Sequence, residues 1–108
     1  MRASAWYNPF QTLLDKVRPK PEMKDAIQVV HAYRVQYRDE RIAWFGWPLR
    51  DDVQERYWAL GFTEDDEVGL DEARGFVVDV VSGHVVWESR IEEPRDLPRN
   101  IGQFAKQK

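Results

Sequence analysis

The side chains with the greatest capacity for chemistry in this 108-residue chain are carboxylates. Glu64, Asp65, Asp66, Glu67, Asp71 and Glu72 crowd into residues 63–72, which contain no base. Such a run could gather Ca²⁺, but it lacks the spaced Asp pattern with a Gly and a terminal bidentate Glu that a calcium loop requires. Nor does it suit a glycosidase pair, because carboxylates in a solvated run keep ordinary proton affinities. Adjacent like charges repel one another, stay hydrated and project a field. The run therefore reads either as a solubilising loop or as the contact that captures a basic protein partner. The second reading makes those six residues partner-binding.

Asp79, His84 and Glu88 form the nearest approach to a metal site. On a regular hairpin all three share one face, yet their spacing along the strands exceeds what a zinc tetrahedron with bonds of about 2 Å accepts. His31 lies one position off the apolar stripe of its segment and reads as a flank or surface histidine. The chain has no Cys, no Walker loop, no dinucleotide fingerprint and no G-x-S-x-G. The expectation is a non-enzyme without metal or cofactor.

Residues 41–49, RIAWFGWPL, are apolar on both faces. Pro48 confines a strand there to an edge or an end. The rings either close the core over the sheet or present Trp44 and Trp47 as a second partner-binding patch, since Trp is enriched among interface anchors. Charge favours a protein partner with a basic surface. Residues 1–20 carry a net +3 and residues 93–108 a net +2, which leaves −8 for the middle of a chain whose total is −3. An acidic body repels a phosphate backbone, so nucleic acid is not the expected partner. With no signal-peptide core and no apolar run of membrane-spanning length, no membrane is expected either, and the reading is cytoplasmic.

The elements that must position these groups are α+β in pattern. In residues 75–92 two apolar runs flank Ser82-Gly83, a favoured two-residue hairpin turn. That register pairs Val80 with Val85, Val78 with Trp87 and Phe76 with Ser89 on one buried face, leaving the other half solvated. Met23, Ala26, Ile27, Val30, Tyr33, Arg34 and Tyr37 trace the stripe of a long helix over residues 21–38. Asn8-Pro9 starts a short helix with Phe10, Leu13, Leu14 and Val17 on one face. Residues 53–62 read as a strand with Trp58, Leu60 and Phe62 inward and Gly61 at a bulge or bend. In the tail, Leu97, Ile101 and Phe104 pin the chain back, and the last residues fray. The expected architecture is one domain over 1–108: an N-terminal helix and linker (1–20), a body (21–92) and a tail (93–108). In the body one long helix packs on a three- to four-stranded antiparallel sheet, with the short N-terminal helix alongside. Trp58, Phe76, Val78, Val80, Val85 and Trp87 should meet Ile27, Val30 and Tyr37.

KDAIQVVHAYRVQYRDE (24–40), ERYWALGF (55–62) and GFVVDVVSGHVVW (75–87) resemble the bacterial immunity proteins of nuclear-transport-factor-2-like or cystatin-like fold. Peptidase-propeptide-like (PepSY) domains share the last signature. The pattern covers a little over half of the chain. It departs from the family in lacking the Gly pair before the penultimate strand and in inserting the acidic run. The resemblance implies a protein that binds a cognate antibacterial toxin and blocks its active site, and it carries no residue-level motif. The alternatives are a phage or regulatory interaction protein that inhibits host defence, or a small ligand-binding or enzymatic domain of the same fold.

Overall fold

The computed structural model describes residues 20–62 and 73–107. Helix α1 (Met23–Tyr33) is followed by a 3-10 turn (Val35–Arg38), then by strands β1 (Trp44–Pro48), β2 (Tyr57–Phe62), β3 (Arg74–Asp79) and β4 (His84–Arg90). A second 3-10 turn (Pro94–Asp96) leads to helix α2 (Ile101–Gln107). The strands form one sheet in the order β1-β2-β3-β4, antiparallel throughout. The fold is α+β, as the periodicities indicate. The segment 10–17 and the acidic run 63–72 lie outside the described residues.

The helix is shorter than its apolar stripe suggests. A capping box between Glu22 and Asp25 starts α1, with the Glu22 N–H donating to Asp25 Oδ2 at 2.8 Å. Ala26, Val29 and Val30 bury against the sheet, and Met23 and Ile27 pack beside them. At Arg34 the backbone turns extended, and the helix ends after 11 residues. The cause is tertiary. The 3-10 turn swings Tyr37 under the sheet to 2% exposure, with its ring 5.6 Å from Phe62 and 5.2 Å from Phe76. Two aromatic contacts outweigh one more helical turn.

The β3–β4 hairpin departs from the expected register. Asp79 pairs with His84, so residues 80–83 form a four-residue turn, with Gly83 at φ 76°. Val78 pairs with Val85 but Val77 with Trp87, so Val86 is an extra residue in β4. This bulge changes the phase of the strand. Val85 stays on the helix side, whereas Trp87 packs on the opposite face with Val86. Trp87 therefore does not join Val78 and Val80 over α1 as the unbroken alternation predicts.

The second face is covered rather than half solvated. Leu97 and Phe104 bury against Leu49, Ala59, Val77 and Ile91. The Trp47 indole N–H donates to the Pro98 carbonyl at 3.0 Å, and Arg99 sits 4.8 Å from the Trp47 ring centroid. The Arg50 N–H donates to Arg99 O and the Ile101 N–H to Arg50 O, a short parallel bridge along the outer edge of β1. Leu97, Ile101 and Phe104 pin the tail as expected. The residues expected to fray instead form α2, begun by Asn100, whose side chain accepts the Gln103 N–H at 2.8 Å. Pro48 ends an edge strand, in keeping with its missing donor.

Two glycines make room for this strap. Gly61 and Gly75 face each other across β2 and β3. A Cβ at Gly61 would stand 2.7 Å from the Phe45 ring, and one at Gly75 would stand 2.5 Å from Leu97 and 2.8 Å from Ile91. Gly61 thus sits in regular pairing rather than at a bulge. The pair forms a notch that Ile91, Leu97 and Phe45 fill. Gly75→Ala should lose about 1–3 kcal/mol of stability by overpacking and speed amide exchange in residues 97–107 more than in β2. Chemical denaturation with hydrogen exchange checks this; an unchanged midpoint would mean that the strap does not press on the sheet.

Candidate functional site at the turn end of the sheet

The β1–β2 connection begins where Pro48 ends β1 and Leu49 buries on the strap side. Arg50 is tied to the tail by its backbone, as above. Asp51 and Glu55 then take left-handed backbone conformations, at φ 62° and 51°. Asp tolerates this region better than Glu, and each such residue costs on the order of 1 kcal/mol. Asp52 holds the connection in that shape: its Oδ2 accepts the N–H groups of Arg56 and Tyr57, both at 2.8 Å. The strained loop delays β2, which starts at Tyr57 rather than near Val53.

Arg56 anchors the loop to the next turn. Its guanidinium donates to both oxygens of Asp79, Nε at 3.1 Å and Nη2 at 2.6 Å. Asp79 is 5% exposed, and its Oδ1 also accepts the N–H groups of Val81 and Ser82 at 3.0 and 3.2 Å. Burial pushes this carboxyl up, but the guanidinium of Arg56 and the turn N–H groups overrule it and hold the group at about 2. One carboxylate thus caps the β3–β4 turn and fixes the β1–β2 connection.

Between this loop and the start of α1 lies an open pocket of about 320 Å³. Pro21, Pro48, Leu49 and the half-buried indole of Trp58 supply its apolar walls. Lys20, Arg50, Asp51, Asp52 and Glu55 supply its polar lining. Lys20 pairs with Glu55 at 3.2 Å. Beside the pocket, Val53 stands 96% exposed on the connection, and Val81 is 58% exposed in the adjacent turn. Sequence reasoning missed this pocket because Pro21, Leu49 and Trp58 come together only through the fold.

The residues singled out from the sequence are dispersed. Glu64, Asp65, Asp66, Glu67, Asp71 and Glu72 lie outside the described residues. Trp44 points to the helix side, edge-on to Phe62 at 5.3 Å, whereas Trp47 points to the strap side. The two do not share a surface. The β4 bulge likewise separates Asp79 from Glu88, which unbroken alternation places on one face. Glu88 turns to α1, where it accepts from the hydroxyls of Tyr33 at 2.8 Å and Tyr37 at 3.4 Å, with Arg34 at 3.9 Å and Arg74 at 4.0 Å. Burial, and then the nearby Glu88 charge, raise the Tyr37 pKa, so the phenol stays a donor. This cluster fastens the end of α1 to β4. His31 is half-buried with its ring 6.5 Å from that of Trp44. Among the described residues no group of three His, Cys, Asp or Glu is placed to hold a metal ion, and no helix is long and apolar enough to cross a membrane.

Because the Asp79 pKa is depressed in the fold, from an ordinary value near 3.8, its stabilising effect is complete above that value and is lost as pH falls through about 2. Urea midpoints should therefore drop between pH 4 and pH 2, and Asp79→Asn should flatten that part of the profile. Asp79→Ala should cost about 3 kcal/mol at neutral pH by leaving Arg56 unpaired and the turn uncapped. Parallel pH profiles for parent and Asp79→Asn would remove Asp79 from this role. No protein-family model, curated protein or solved structure matches the chain.

Proposed function

We propose that this chain is a non-catalytic protein-binding module of immunity type, which captures a basic partner and blocks it. The observation that carries the reading is where the charge resides. Among the described residues basic and acidic side chains are equal in number, so this part of the chain is electrically neutral. The net negative charge of the chain comes from the run 63–72, where Glu64, Asp65, Asp66, Glu67, Asp71 and Glu72 meet no base. In the chain that run connects β2 to β3, the two central strands of the sheet. A neutral sheet and helix joined to so concentrated a run of negative charge are suited to steering an oppositely charged partner.

The resemblance to bacterial immunity proteins supplies the kind of partner, a toxin whose cleft is basic because it handles phosphate, met in the cytoplasm. The space between α1 and the sheet is filled by the rings of Tyr37, Phe62, Phe76 and Trp44. That filling gives no support to a small ligand enclosed there.

Affinity capture from the cells that make the chain, followed by association kinetics with the recovered partner, tests the reading. The partner should be rich in Lys and Arg on its contact surface. Replacing residues 64–67 together by Ser should slow association about tenfold or more at low salt. The difference should close toward about 0.5 M salt, where the screening length is roughly 4 Å. Unfolding free energy should stay level or rise slightly as like-charge repulsion is relieved. An association rate indifferent to the four substitutions would overturn the reading.

A further inference from the structure

The pocket at the turn end of the sheet is a site that the acidic run does not account for. We propose that it seats one lysine or arginine side chain of the basic protein partner. This rests on the partner reading above and adds to it a defined subsite.

The chemistry of the walls fits such a guest at both of its ends. The methylene stem of a long cationic side chain needs apolar contact, and Pro21, Pro48 and Leu49 offer it. The charged head gains from an aromatic face, and Trp58 lines the pocket with a half-buried indole. Among the described residues the lining holds three carboxylates, Asp51, Asp52 and Glu55, against two cations, Lys20 and Arg50. Among these described residues one negative charge is in excess, which favours a cationic guest.

The commitments of these carboxylates single out Asp51. Asp52 is spent on the N–H groups of Arg56 and Tyr57. Glu55 already holds the ammonium of Lys20 at 3.2 Å, so the rim accepts an alkylammonium in the chain's own structure. Asp51 makes no hydrogen bond or ion pair with another described residue. It stands at the rim on a left-handed backbone that the Asp52 cap maintains. A strained backbone that presents an uncommitted charge to a pocket lined also by an indole marks a recognition position better than a structural one.

The probes are three capped tripeptides, Gly-Lys-Gly, Gly-Arg-Gly and Gly-acetyllysine-Gly, titrated into the full chain at physiological salt. The indole N–H resonance of Trp58 is followed by NMR. The lysine and arginine peptides should move it saturably in the millimolar range, and the uncharged acetyllysine peptide should bind at least about fivefold more weakly. Asp51→Asn keeps the residue's tolerance of its backbone conformation. It should weaken the two cationic peptides about threefold and leave the acetyllysine peptide unchanged. Equal affinity for the uncharged peptide, or a Trp58 resonance that none of the peptides moves, would overturn the subsite. Because this readout uses neither residues 64–67 nor the partner, the two proposals fail separately. A silent Trp58 with slowed association in the Ser variant removes the pocket alone. A responsive Trp58 with unchanged association removes the steering and keeps the pocket.

Discussion

The carboxylate of Asp79 is the point on which the rest of the structure turns. At 5% exposure it would be a costly buried charge if it were not met by two guanidinium donors and two backbone N–H groups. Those four donors come from two different connections. Arg56 lies at the end of the β1–β2 loop, and Val81 and Ser82 lie in the β3–β4 turn. The same four oxygen–donor contacts therefore set the length of the hairpin turn, the point at which β2 begins and the shape of the loop bearing Asp51. Without this carboxylate the loop loses its side-chain tie to the β3–β4 turn and keeps the Asp52 cap and its backbone bonds.

A second constraint is the division of the sheet into two covered faces. In β3, Gly75 and Val77 face the strap and Phe76 and Val78 face α1. In β4 the extra residue Val86 lets Val86 and Trp87 both serve the strap side, while Glu88 reaches α1. A regular strand would place Val85 and Glu88, three positions apart, on opposite faces; the bulge brings both to the α1 side. The bulge also twists the outer strand, which discourages open-ended pairing along that edge.

Much of this was legible in the sequence, and the failures have physical reasons. The i, i+3, i+4 spacing of Met23, Ala26, Ile27 and Val30 identifies α1, and the alternation of Trp58, Leu60 and Phe62 identifies β2 and its inward face. Pro48 marks the edge strand through its missing donor. The bulge was invisible because Val85 and Val86 are both apolar, so the pattern carries no phase information where the phase changes. Ser82-Gly83 suggested a two-residue turn because the cap that lengthens it depends on Arg56, 23 residues away. Helix α2 was missed although Asn100 is a good cap, since seven residues containing Gly102 form a poor helix without a surface to lie on. The pocket was illegible for the plainest reason: Pro21, Leu49 and Trp58 are far apart in the chain.

The strap across the second face has a consequence for the order of folding. The meander β1 to β4 is made of sequence-local pairings, each between neighbouring strands, and such contacts form early. The hydrogen bond from Trp47 to Pro98 spans 51 residues, and the bridge from Arg50 to Asn100 is comparably distant. Closing so long a loop costs more chain entropy than closing any of the hairpins. Until it closes, Trp47, Tyr57 and Val77 stand uncovered on a formed sheet. The strap is thus an internal shield that arrives late. During synthesis, when residues 94–107 have not yet emerged, this half-dressed sheet is the species that chaperones would meet.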